Sequence, residues 1–354
     1  MSIQLGCPCC SHILQEGESE LICPNCHERW PVVDGIPRFV TESYYWSEVP
    51  LEIMQAVNRR SEVEGWHQPV KDLLAEDYPD IYNYVTDTRR ADFCQHIPLT
   101  PRSVVADIGS GWGTISCLLA ARCGRVLSVE SVTERIKFLK IRALEEKLDN
   151  LLPVQADFLE LPLAESSLDL AVMNGVLEWI GIASEDGRPD ELQLKVLRKI
   201  HSSLKPGGTL YIGIENRYAF HYFFGVLDHS DLPFTSLVPR QVADLMMRRK
   251  GQASRRTTQA QGSYRTYTYS YWGYHNLLNK AGFSQTDIYL VLPDYNQPYY
   301  IIRPEDTSAF LSAIRNVYAD PSLKTKIIKS LATISAPFGL QRFFSPMFSI
   351  YAKK

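Results

Sequence analysis

The chain has 354 residues, 45% hydrophobic and 22% charged, which is enough to bury a large core and suggests one large domain with a smaller one. Thirty-seven basic against 40 acidic residues leave a formal charge of −3, so no global field draws the chain to nucleic acid or an anionic membrane, although a local patch can override that mean. No run of about 18 apolar residues, basic apolar leader or lipidation signal appears, so the sequence leads us to expect a cytoplasmic protein with no membrane span.

Five of the eight cysteines crowd the first 26 positions. "CPCC" supplies Cys7 and Cys10, and "CPNC" supplies Cys23 and Cys26. Two C-x-x-C pairs at this separation suit one tetrahedral, structural Zn2+ held by four thiolates, with no coordination position left for substrate. Cys9 is expected to be a bystander, and an alternative set through it stays open. Redox use of the pairs is disfavoured because no βαβ pattern surrounds them. A 40-residue segment is short for a self-sufficient core, and metal would supply the missing folding energy. Arg29 and Arg38 face five acidic residues in this segment, before the thiolates add negative charge, so phosphate would be repelled.

The ending "CPNCHERWPVVDGIPRFV" resembles the small zinc ribbon of the methyltransferase-activator family, in which C-P-x-C precedes an aromatic-Pro-hydrophobic-x-Asp-Gly-Ile-Pro run. Trp30 to Pro37 carry the likeness, and Asp34-Gly35 suits a tight turn on its own chemistry. The resemblance covers residues 1–40 and implies either a scaffold that contacts a protein partner or a structural cap.

Residues 41–97 read as a helical connection, and 98–354 as the main domain. Strands are expected at 103–109, 125–130, 152–157, 168–174 and 208–215, with helices near 113–123, 133–147 and 190–204; this alternation predicts a doubly wound α/β fold with a mostly parallel sheet. Beyond Glu215 the pattern loosens over 216–270, expected to cover the substrate. "WGYHNLLNKAGF" then predicts a helix capped by Gly282, and "SQTDIYLVLP" a strand. "FFSPMFSIYAKK" is expected to return as an antiparallel last strand, with 296–340 an insertion.

"DIGSGWG" follows a strand and opens a helix, so Gly109, Gly111 and Gly113 offer a turn that a ligand can approach closely. A dinucleotide fingerprint would need glycine at 114, where Thr stands, and Asp107 precedes the turn. Glu130 ends the second strand, where a carboxylate suits ribose hydroxyls; Asp157 follows the third, and Asn174-Gly175 the fourth. Landmarks in this order resemble the class I S-adenosylmethionine-dependent methyltransferases over about residues 90–295. The resemblance implies a seven-stranded Rossmann-like sheet. It also implies Asp107, Gly109, Ser110, Gly111 and Gly113 around the methionine part, Glu130 on the ribose, Asp157 and Phe158 facing adenine, and Asn174 and Gly175 beside the sulfonium.

A hydroxyl acceptor also wants a base, and "IENRYAFHYFFGVLDHSDLPF" offers Glu215, His221 and His229, with Asp228 a candidate orienter that its position next to His229 disfavours. Arg240, Arg248, Arg249, Lys250, Arg255 and Arg256 stand against Asp244, and "YRTYTYSYWGY" follows, with Tyr267, Tyr269 and Tyr271 expected on one strand face. Cations followed by aromatics suit an anionic acceptor with a flat ring, or simply a solvated helix beside a packed strand. A looser likeness to bacterial glycan-pathway methyltransferases ranks a saccharide or glycan intermediate first, methylated at oxygen. An RNA base methyltransferase with a zinc module is a rival, weakened by the acidic ribbon and by "NGVLEW" where an Asn/Asp-Pro-Pro-aromatic motif would stand. A non-catalytic activator or scaffold that retains the cofactor fold is the other.

Overall fold

The computed structural model describes residues 4–40, 45–250 and 263–354. The chain divides into two compact units, one of residues 1–173, 195–210 and Lys354, the other of 174–194 and 211–353.

The first unit begins with four short antiparallel strands, β1 (Gln15–Glu16), β2 (Glu20–Ile22), β3 (Arg29–Val33) and β4 (Ile36–Pro37), in sequential order. Asp34 and Gly35 join β3 to β4 with φ of 52° and 70°, the left-handed pair a two-residue hairpin requires. Helices α1 (Leu51–Glu64), α2 (His67–Leu74) and α3 (Pro79–Thr86) follow. They bury Met54, Val57, Val70 and Val85 in a cluster with Trp112 and Phe138.

Strand β5 (Val104–Ile108), helix α4 (Thr114–Ala120), β6 (Arg125–Glu130), α5 (Thr133–Glu145), β7 (Leu151–Gln155), β8 (Leu168–Asn174), α6 (Pro189–Ser203) and β9 (Leu204–Glu215) form the alternating part. The strand order is β9-β8-β5-β6-β7, and the β8-β5-β6-β7 pairs are parallel. Almost every residue of β5 to β8 is buried, as parallel strands covered on both faces require. Strand β9 begins at Leu204 rather than at the expected 208 and is bent by Gly207 at φ 78°.

The ribbon closes the β7 edge of this sheet. Phe39 N donates to Gln155 O at 2.7 Å, Gly6 N to Pro162 O at 3.1 Å, and Lys199 Nζ to Ser11 Oγ at 2.9 Å. A Cβ on Gly6 would lie 2.5 Å from Leu163 O, so the backbones meet with no room for a side chain. An uncovered edge strand invites pairing with other chains, and here the ribbon pairs it.

In the second unit, the end of β9 is followed by α7 (Arg240–Lys250), α8 (Tyr271–Ala281), β10 (Gln285–Pro293), β11 (Pro298–Ile302), α9 (Thr307–Val317), α10 (Leu323–Ser335), α11 (Gln341–Phe344) and β12 (Met347–Lys353). The order is β11-β10-β12-β9, with β10 antiparallel to both β12 and β11. Gly282, at φ 106°, caps α8, and β12 is the expected antiparallel return.

Two expectations are corrected. Strands β5 to β12 number eight rather than seven, because residues assigned to an insertion form β11. Tyr267, Tyr269 and Tyr271 do not share a strand face: residues 263–268 are irregular, Tyr269 makes a single bridge to Asn216, and Tyr271 opens α8, where the Ser270 side chain accepts from Gly273 N. Arg255 and Arg256 lie outside the described residues. Among those described, no helix is long and apolar enough to cross a membrane.

Candidate active site

Four thiols converge in the first unit. Sγ separations are 3.5 Å for Cys7–Cys26, 3.4 Å for Cys10–Cys23 and 3.6 Å for Cys10–Cys26, close to the edge of about 3.8 Å for a tetrahedron with metal–sulfur bonds of about 2.3 Å. Cys26 N points at Cys23 Sγ, as a backbone donor to a thiolate would. Cys9 is exposed and outside the cluster. The donor set therefore fits zinc.

The same unit holds the glycine turn. Gly109, Gly111 and Gly113 have φ of 71°, 58° and 80°, the left-handed region that L side chains rarely adopt. A Cβ on Gly111 would stand 2.7 Å from Tyr84 Oη, and one on Gly113 would stand 2.1 Å from Leu139 Cδ1. Gly113→Ala should therefore cost about 1–3 kcal/mol from overpacking and strain; a melting temperature equal to wild type would contradict this. Ser110 is buried with its hydroxyl unpartnered. Asp107 accepts from Ser116 Oγ at 2.6 Å, and burial pushes its carboxyl up to about 6.

Glu130 is more occupied than expected. Its oxygens accept from Gly111 N at 2.8 Å and from Ser131 N and Val132 N at 2.9 Å each, so it braces the turn, and a ribose would share or replace these donors. Asp157 accepts from Leu159 N at 2.9 Å, capping the turn Phe158–Glu160, and burial raises its pKa. Tyr84, against the glycine turn and stacked under Arg90 at 3.5 Å, was not anticipated. It sits in a helical stretch with no motif to mark it. The glycine cradle and the free Ser110 hydroxyl fit a small polar cofactor.

The second unit gathers a different set. His229 Nε2 lies 3.2 Å from Glu215 Oε2 and 3.9 Å from Glu178 Oε1. Glu178 has no exposed surface and its oxygens lack a well-formed hydrogen bond among the described residues, whereas Glu215 Oε2 and His229 Nε2 have each other. Buried polar atoms without partners are costly, so the two Glu178 oxygens beside this ion pair mark a polar spot that a ligand hydroxyl would satisfy. Glu215 Oε1 accepts from Tyr295 Oη at 3.1 Å, its backbone carbonyl accepts from Tyr274 Oη at 2.9 Å, and Trp179 packs on the His229 ring at 4.6 Å.

Charge follows from this packing. Burial opposes a cation at His229, but Glu215 in contact outweighs it and lifts the imidazole to about 9. Burial and then Glu215's charge raise Glu178 to about 8; Glu215 is held below its ordinary value because His229 outweighs its burial.

Asp228 does not orient His229. It accepts from Ser230 N at 2.8 Å, Thr235 Oγ1 at 2.8 Å and Ser236 Oγ, so it folds its own loop. His221 packs edge-on to Phe220 and Tyr222, and burial drops it to about 4. Asn174 Nδ2 donates to Asn296 Oδ1 at 3.2 Å, its Oδ1 is unpartnered, and Gly175 has φ 71° with Tyr295 Oη 2.7 Å from where a Cβ would stand. Glu178 lay in the quoted stretch "NGVLEW" and Tyr295 two residues beyond "SQTDIYLVLP", but no spacing rule singled them out.

A cavity of about 330 Å³ in this unit is lined by Arg188, Arg217, Arg240, Tyr267 and Tyr269 among others. The Arg240 guanidinium lies 3.8 Å over Tyr267 and keeps one buried nitrogen unpartnered. Burial, then Arg240, lowers the pKa of Arg217. Asp190, which pairs with Arg188 at 2.7 Å, and Asp244 also line the cavity, so two carboxylates oppose the three guanidiniums and leave a small positive balance.

The methyltransferase-domain family Methyltransf_11 matches residues 106–212, the stretch that holds Asp107, the glycine turn, Glu130 and Asp157. With this match on that cradle, residues 106–212 carry a methyltransferase domain. No curated protein matches it. Similar solved structures include phosphoethanolamine N-methyltransferase 2 of Haemonchus contortus with S-adenosyl-L-methionine (14% identity, 84% of this chain, TM-score 0.45), of whose length this chain spans only 59%. Others are a complex of the Haloferax volcanii Trm112 methyltransferase activator with a methyltransferase (14%, 83% and 96% of the two chains, 0.43) and the Streptomyces coelicolor geranyl diphosphate C-methyltransferase (13%, 89% and 91%, 0.42).

Proposed function

We propose that the protein methylates an oxygen of a small hydroxylated acceptor, a saccharide or glycan intermediate with an anionic group, and that His229 takes the hydroxyl proton. The observation that carries this is the His229–Glu215 ion pair beside the unpartnered carboxylate of Glu178. A base must come within hydrogen-bond reach of the proton it removes, and its partner must hold it in place. Glu215 holds the imidazole, and Tyr295 and Tyr274 hold Glu215. Glu178, protonated below about pH 8, offers an acceptor hydroxyl one accepting oxygen and one O–H donor. His221, neutral and weakly basic, is the poorer candidate.

S-adenosylmethionine supplies an electrophilic methyl group on a sulfonium. We assign its binding to Asp107, Gly109, Ser110, Gly111, Gly113, Glu130, Asp157, Phe158, Asn174 and Gly175. Arg188, Arg217 and Arg240 with Tyr267 suit the anionic group of the acceptor. The four cysteines hold structural zinc, and the ribbon braces the β7 edge, with a protein-partner role as the second use of its outer surface.

Calorimetric titration with S-adenosylmethionine and with NAD tests the cofactor: micromolar binding of the former only is expected. Glu130→Gln should weaken it about tenfold, and because Glu130 also braces the glycine turn, the variant's melting curve separates lost contact from lost fold. Undiminished affinity in the variant would contradict the ribose assignment. Turnover of nucleotide-sugar against RNA acceptors, with and without added Mg2+, then decides the acceptor class and whether a cation is needed at the three-residue cluster.

A further inference from the structure

Helix α10, LKTKIIKSLATIS, buries one stripe and presents another outward. Thr325, Ile328 and Ala332 are buried, while Leu323, Ile327, Leu331 and Ile334 are exposed at 74%, 39%, 53% and 67%. At 100° per residue the exposed four fall within about 80° of arc, on the side away from the buried three. Phe338, in the turn after the helix, is 78% exposed and continues the apolar run. Isolated exposed apolar residues are ordinary, but a contiguous stripe marks an interaction surface.

The charges indicate what covers it. Lys324 and Lys326 flank the stripe on its two sides, Lys329 lies farther round, and no acidic residue occurs between 323 and 338, in a chain whose net charge is −3. Apolar side chains flanked by lysines suit a surface with an oily interior and anionic headgroups, where lysine stems lie along the apolar face and their ammoniums reach the phosphates. A second copy of the chain would bring these lysines against one another.

Neighbouring segments extend this surface. Phe223 and Phe224 are exposed on the turn that carries His221; Phe220 packs on Tyr318 at 5.6 Å, Phe223 on Phe344 at 5.8 Å, and Lys324 is close enough to depress the pKa of His221 further.

We propose that this face of α10, with Phe338, is an interfacial docking site for an anionic lipid bilayer. The side chains enter the headgroup boundary without spanning the membrane. This goes beyond the methyl-transfer reading and does not depend on it.

The test is co-sedimentation of the full chain with vesicles of phosphatidylcholine and phosphatidylglycerol, and with vesicles of phosphatidylcholine alone. Wild type should sediment with the mixed vesicles and be released by salt. Ile327→Ser with Leu331→Ser should lower partitioning at least tenfold, and Lys324→Gln with Lys326→Gln by a similar factor, since each lysine near such a surface contributes about fivefold. All four positions are exposed, and unchanged melting curves would show intact folds. Failure of wild type to sediment, or undiminished partitioning of either double variant, would overturn the proposal. So would light scattering that shows a dimer abolished by Ile327→Ser with Leu331→Ser in a protein that ignores vesicles, because a second copy would then cover the face.

Discussion

His229→Asn is expected to lower kcat for methyl transfer by about 10²–10⁴-fold, the usual contribution of a positioned base, with S-adenosylmethionine affinity unchanged. The same reading fixes a pH dependence. An imidazole lifted to about 9 is protonated at neutral pH, so kcat should rise with pH toward a midpoint near 9. Glu215→Gln removes the anion that lifts it, and the rising limb should move to lower pH by about 1–3 units, the usual effect of an opposite charge at this distance. A His229→Asn variant within about threefold of wild type would exclude it as the base and turn attention to Glu178 and Glu215.

Stability reports the same cluster independently. Glu178 has its folded pKa raised from 4.5 to about 8 and His229 from 6.5 to about 9. In each case the unfolded chain loses its proton first, so stability is fully present below the unfolded value and drains as pH rises through the folded one. Glu215, held below 4.5, makes its contribution above that pH and adds nothing to the slope in this window. The melting temperature should therefore fall from pH 6 to about 9, and less steeply in His229→Asn with Glu178→Gln. Equal slopes would mean that the cluster does not titrate as its packing requires.

Cys23→Ser, or zinc removal by a strong chelator, is expected to lower the melting temperature by about 10 °C or more. Structural zinc contributes on the order of 10 kcal/mol to small sites, and about 1 kcal/mol moves the midpoint by 2–4 °C in domains of this scale. The loss should spread beyond the ribbon, because Phe39 and Gly6 anchor it by backbone hydrogen bonds to Gln155 and Pro162, and an uncovered β7 edge favours aggregation. S-adenosylmethionine affinity should change little, since the residues around the glycine turn lie on β5, α4 and β6. Unchanged melting with abolished turnover would reverse this assignment and make the ribbon a substrate- or partner-recruiting module.

Much of this protein was legible in its residues because the relevant physics is local. Ligand spacing in two C-x-x-C pairs, β-branched runs between helical periods, glycines after a strand and a glycine cap at 282 each act over a few residues, and the corresponding elements appear where expected. The cost of positive φ alone points to the glycine turn. What failed needed distant partners. Residues 298–302 became a strand because β10 offered an edge, and Tyr271 left its stretch for a helix once Ser270 capped it.

The acid–base cluster belongs to the same category. Glu178, Glu215 and His229 come from a turn, a strand end and a loop, and no periodicity links them. Only the folded chain brings these three side chains together and ties Asp228 into its own loop instead. Residue order by itself determined which local structures form and which ligand sets are spaced for metal or cofactor. Tertiary packing decided which carboxylate meets which imidazole, which edge the ribbon covers and which stripe of α10 stays outside, because burial and long-range pairing set those energies.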